Sequence, residues 1–276
     1  MRVAFGVHAA RDCVTRPAAF KRPKAMDLTR GKGSEHNSER KAKFCMASPL
    51  KLALEELLRD RRLLEAPLLR ANRPLDRFAC GVPAVDTLLG GGIARGQVSE
   101  IHGPRSSGRT GLALALVARA TRAGALAVWV DATDSLDPAT AAAGGLDLAR
   151  LLWVRGEPKN LKGVLAAAGL LLESGLFEVA VLDVADVDGA LLRRVPATTW
   201  MRLARLVEGT PSALVLLSDH HVYRGASGVS LALHPKTARW SGAPGPGRLL
   251  AALATEASAW AGTQRRSELE LPVVDR

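Results

Sequence analysis

The chain has 276 residues, 47% of them apolar and only 4% aromatic, which suits one α/β domain with appendages and a core packed chiefly by Leu, Val and Ala. No apolar run approaches the roughly 20 residues that span a bilayer, so a helical membrane protein is excluded and a cytoplasmic, non-membrane protein is expected. The formal charge of +11 suggests a polyanion partner, but eleven Lys/Arg against four acids place +7 of it in residues 1–45 and leave +4 for the rest.

Residues 1–45 show neither helical nor strand periodicity and are broken by Pro17, Pro23, Gly31 and Gly33. They are expected to form a disordered basic leader. A solvated tail and a DNA-binding arm both fit this composition, the tail more simply. The leader has no apolar stretch of the secretory kind. Met46 opens the first stretch with ordered character and offers an alternative translation start. Residues 46–74 are expected to hold an N-terminal helix. Over 49–64, Leu50, Leu54, Leu57, Leu58 and Leu64 recur at helical steps, behind Ser48 as N-cap and Pro49 at the first helical position. Cys13, Cys45 and Cys80 lack metal-type spacing and read as reduced thiols.

From Gly81 onward, short apolar runs alternate with helical patterns. Strands are expected at Gln97–His102, Ala125–Asp131, Leu151–Val154, Val179–Asp183 and Ala213–Ser218, with an edge strand at Val229–Leu233. Helices are expected at Arg109–Arg122, Leu161–Glu173 and Thr199–Val207. This βαβ alternation assigns residues 75–240 to an α/β core, a mostly parallel central sheet flanked by helices. A turn-rich break at Ser241–Gly247 sets off a C-terminal extension, 241–276, with weak strand signals.

Gly103-Pro-Arg-Ser-Ser-Gly-Arg-Thr110 fits the phosphate-loop pattern G-x-x-x-x-G-K-[ST] at every defined position except Arg109. It follows a strand and opens a helix, where backbone N–H groups and the helix dipole can hold phosphate. The candidate ATP-binding residues are Gly103, Pro104, Ser106, Ser107, Gly108, Arg109, Thr110 and Asp183. Thr110 and Asp183 are the candidate Mg²⁺ ligands, Asp183 because it ends an apolar strand in the Walker B manner. Arg109 keeps the positive charge of the usual lysine but is a planar, bulkier fork, which should disturb the geometry of phosphoryl transfer.

The run Gly81-Val-Pro-Ala-Val-Asp-Thr-Leu-Leu-Gly-Gly-Gly-Ile-Ala-Arg-Gly-Gln-Val-Ser-Glu-Ile-His-Gly-Pro, the loop with Pro104, Ser106 and Ser107, and Asp131-Ala-Thr-Asp-Ser-Leu-Asp-Pro138 resemble the RecA recombinase family over about residues 75–235. The resemblance implies a RecA-like P-loop fold that binds ATP and Mg²⁺. It also shows departures. Where the family carries the glutamate that activates the attacking water, this chain has Thr133, which cannot act as a base; Asp131 or Asp134 would be a displaced substitute. The two DNA-carrying loops look short, and Leu249–Glu256, loosely aligned with a lysine-bearing stretch of the family, has no lysine. Asp219 or His220 takes the place of the family's nucleotide-sensing residue. His220 and His221, adjacent in an extended segment, should face opposite sides and share no metal.

Shortened length, degraded motifs and trimmed loops resemble the ImuA-type accessory proteins of bacterial mutagenic lesion bypass. That resemblance implies an adaptor with weak or no ATPase activity in SOS-type translesion synthesis. Its partners would be a Y-family-polymerase-like protein and an error-prone replicative-type polymerase. The alternative is a divergent DNA-dependent ATPase or recombinase that binds single-stranded DNA. A third reading docks the 49–64 helix on a RecA filament.

Overall fold

Strands buried on both faces need helices above and below, and the chain supplies them in alternation. The computed structural model describes residues 2–5, 53, 56, 77–223, 225, 228–245, 247–260 and 264–272. Among these described residues the central sheet has nine strands: β1 (Arg2–Phe5), β4 (Val98–His102), β5 (Ala127–Asp131), β6 (Leu151–Arg155), β7 (Val179–Asp183), β8 (Ala213–Ser218), β9 (Ser230–Ser241), β10 (Leu249–Trp260) and β11 (Gln264–Pro272). They lie in the order β1-β6-β5-β7-β8-β4-β9-β10-β11. The block from β6 to β9 is parallel, whereas β1, β10 and β11 pair antiparallel with their neighbours. A small ladder of β2 (Arg77–Phe78) and β3 (Ile93–Ala94) lies outside this sheet.

The helices are α1 (Pro83–Leu88), α2 (Arg109–Arg122), α3 (Pro138–Ala143), α4 (Leu161–Ser174), α5 (Gly189–Arg193) and α6 (Ala197–Val207). On one face Val85 and Leu88 of α1, Leu112 and Leu116 of α2 and Leu269 of β11 pack together with Trp129 and Val181 of the sheet. On the other face Val164 and Leu171 of α4 and Trp200 and Leu203 of α6 pack on Val128, Leu182 and Leu216. The strand alternation sorts side chains to these two layers, because successive residues point to opposite sides. Asp137 caps α3, Asn160 caps α4 and Asp188 caps α5, each accepting a first-turn N–H. The N-cap of α2 is Gly108, which has no side chain to offer.

Four expectations change. Arg2–Phe5, expected to be unstructured, form β1 on the edge of β6, whose backbone would otherwise lack a partner on that side. The strand expected at the edge, Val229–Leu233, is instead β9, an inner strand between β4 and β10. The break at 241–247 lies between two long paired strands, so the sheet continues through β11. A short helix, α5, precedes α6 where one helix was expected. Of the helix expected over 49–64, Ala53 and Glu56 are helical and the remainder lies outside the described residues, as do residues 6–45 with Cys13 and Cys45. Cys80 is a buried free thiol, and burial pushes its pKa up to about 12.

Candidate functional site

The carboxyl ends of β4, β5, β7 and β8 bring the sequence candidates together, at the edge where open α/β sheets bind ligands. Residues 103–108 form the turn between β4 and α2. Ser106 and Gly108 both have positive φ, 63° and 88°, conformations that curl the backbone and that glycine adopts without strain. Pro104, Arg105, Ser106 and Thr110 are exposed, whereas Gly103, Ser107 and Arg109 are buried.

Arg109 is not extended into solvent to await an anion. Its Nη1 donates to the carbonyl oxygen of Gly103 at 2.5 Å, within its own loop. Its Nη2 lies 2.9 Å from Asp219 Oδ1, an ion contact, and 3.5 Å from Asp186 Oδ1. Arg105 Nε donates to the same Asp186 oxygen at 2.9 Å, and the Asp186 N–H donates to Asp219 Oδ2 at 3.0 Å. Asp186, at φ 63°, follows β7, and Asp219 follows β8. Two arginines and two aspartates from three strand ends therefore close a network over the loop. The guanidinium that replaces lysine is neutralised by the protein itself, and two carboxylates stand beside the seat that an anion would take. Ser107 Oγ and Arg109 Nε are buried without a hydrogen-bond partner, a deficit that entering acceptor atoms would relieve.

The C-terminal hairpin also touches this loop. Thr255 Oγ1 of β10 donates to the Ser107 carbonyl at 3.1 Å. A Cβ on Gly108 would stand 2.2 Å from Leu271 Cδ1 of β11, so Leu271 packs directly on the glycine. Neither contact was expected from the sequence.

Asp183 ends β7 beside Asp131 of β5 in the parallel register. It is buried and accepts the Ala185 N–H at 3.0 Å. Burial, with Asp131 adding to it and Arg109 opposing, pushes its pKa up to about 7. A half-protonated carboxyl is a poor Mg²⁺ ligand until a cation draws the proton off. Thr133 offers only a hydroxyl, which bonds Ser135 Oγ at 3.2 Å. Both residues named as substitute bases are engaged. Asp131 accepts the N–H groups of Thr133 and Leu136 at 3.1 and 2.9 Å, and Asp134 holds Arg155 through both oxygens at 2.6 and 2.7 Å. His220 lines a cavity of about 550 Å³ together with Trp200, Met201, Asp219 and Tyr223. Its neighbour His221 lines the same cavity and also bonds Glu100.

Residues 67–194 match the RecA N-terminal domain, a stretch that holds the phosphate loop, Thr133 and Asp183. The chain is 42% identical over 115 residues to Protein RecA of Rubrobacter xylanophilus, covering 41% of this chain and 33% of that one. It is 43% identical over 114 residues to Protein RecA of Acidothermus cellulolyticus, covering 41% and 32%. Against Protein RecA of Streptococcus uberis it is 38% identical over 165 residues, covering 54% and 43%. The matched stretches thus span about a third to two-fifths of the length of these curated relatives. Sheet order, phosphate loop and these matches define the class: the chain carries a RecA-like α/β P-loop domain.

Proposed function

We propose that this chain is a RecA-like accessory protein of DNA repair that works as an adaptor in SOS-type translesion mutagenesis, with weak or no ATP hydrolysis. The observation that carries this reading is the state of Arg109. Its guanidinium is tied to Gly103, Asp186 and Asp219, so the charge that should act on a γ-phosphate is already spent on the protein. Thr133 adds a second deficit, because loss of a general base lowers a rate by about 10²–10⁴. ATP and Mg²⁺ would be held by Gly103–Thr110 and Asp183 only after the ion network opens. In this reading the partners are a Y-family-polymerase-like protein and an error-prone replicative-type polymerase, with RecA and single-stranded DNA as further candidates.

The similarity to chains named Protein RecA favours a second reading, a divergent DNA-dependent ATPase. ATP binding and turnover by the full chain, with and without single-stranded DNA, separate the two. No turnover, with a stable complex formed on mixing with the polymerase-like partner, supports the adaptor. DNA-stimulated turnover rejects it in favour of the ATPase.

A further inference from the structure

At the end of β4, one residue before the phosphate loop, His102 comes together with Glu100 of the same strand and His221 from the segment after β8. One ligand atom from each of these three residues lies within 4.8 Å of the other two. We propose that Glu100, His102 and His221 form a site for one divalent transition ion of the zinc class, with His102 and His221 each giving an imidazole nitrogen and Glu100 the compensating negative charge.

The geometry fits that ion. The two imidazole centroids are 5.6 Å apart and the rings are inclined by 46°. Two imidazoles bound at about 2.1 Å to a tetrahedral ion place their centroids about 5 Å apart, so little movement is needed. Glu100 is fully buried, and its Oε1 is fixed by Ser218 Oγ at 3.1 Å and by the N–H groups of Val222 and Tyr223 at 2.7 and 3.3 Å. Its Oε2 meets His221 Nδ1 at 2.5 Å. A carboxylate held against one imidazole nitrogen fixes the orientation of the ring, as around metal-bound histidines. His221 is 44% exposed on its side chain, which leaves a path for the ion and room for water as a further ligand. Sulfur is absent from the set, so imidazole-preferring ions such as Zn²⁺, Ni²⁺ and Cu²⁺ are favoured over those that need thiolate.

The test is titration of the untagged full chain with Zn²⁺ by calorimetry and with Co²⁺ by visible absorption. One equivalent should bind, with tetrahedral-type Co²⁺ bands, and Zn²⁺ should shift the imidazole NMR signals of His102 and His221 before those of the other histidines. His102→Asn and His221→Asn should each weaken binding by at least about 10-fold, while His220→Asn leaves it unchanged. Circular dichroism establishes that each variant is folded, and the imidazole shifts of the unaltered protein give the answer should a variant unfold. The proposal fails if no stoichiometric ion is taken up. It also fails if all histidine signals move together, or if His220→Asn weakens binding as much as His221→Asn, because exposed histidines then bind the ion on their own.

Discussion

Arg109 carries the chemistry of the whole site in its choice of partners. A lysine at this position would present one compact charge, whereas the guanidinium fork reaches a carbonyl and two carboxylates at once. Arg109→Ala should leave Asp219 without a cation and Asp186 with only the exposed Arg105. We expect a loss of about 3 kcal/mol in urea denaturation, toward the lower end for a broken buried pair because both aspartates are partly exposed. Asp219→Asn in the same background should recover part of it. Asp183 makes a pH-dependent contribution of opposite kind. Its folded pKa of about 7 lies above the ordinary 3.8, so between these values the folded chain holds a proton that the unfolded chain has lost. Stability should therefore fall as pH rises from about 4 to 7 and level off above 7. Asp183→Asn should flatten this dependence and raise the melting temperature at pH 8, keeping the Ala185 hydrogen bond. An unchanged pH profile would show that Asp183 titrates normally.

At the scale of elements, β9 decides how the sheet extends beyond the parallel block. It enters alongside β4 through Gly228, whose φ is +88° and where a Cβ would meet the Val98 carbonyl oxygen at 1.7 Å. The Glu100 N–H then bonds the Val229 carbonyl at 2.8 Å, opening the β4–β9 ladder. Gly228→Ala combines left-handed strain with backbone overlap and should destabilise the fold by at least about 2 kcal/mol, read as a lower denaturation midpoint at unchanged slope. A cost under 0.5 kcal/mol would mean that the close approach is not kept in solution. Beyond β9, the β10–β11 hairpin reaches back with Thr255 and Leu271 to the phosphate loop. The C-terminal strands are thus part of the candidate site rather than a separate appendage.

For the molecule as a whole, the charge distribution and the sheet make different statements. Most of the +11 lies in residues 1–45, and among the described residues no helix is long and apolar enough to cross a membrane. Binding of the full chain to single-stranded DNA should be weak at 50 mM salt and lost by 200 mM, as expected for cation–phosphate contacts alone. Exchanging the Lys and Arg of residues 6–45 for Gln should remove most of that affinity in a fluorescence-anisotropy titration. Affinity that survives both changes would locate a DNA site on the RecA-like domain.

The sequence by itself determined the parallel block and the glycine-rich loop between β4 and α2. Buried strands such as Val179–Asp183 and Ala213–Ser218 are short apolar runs, and Gly103–Thr110 has local backbone requirements that only certain residues meet. Tertiary structure alone decided the rest. Leu249–Trp260 is rich in alanine and carries little strand preference of its own; pairing with β9 and β11 makes it a strand. The carboxylate partners of Arg109 come from the segments after β7 and β8, and the partners of Glu100 from Ser218 of β8 and the segment after it. No local pattern brings these residues together, because each pairing depends on which strand lies next to which.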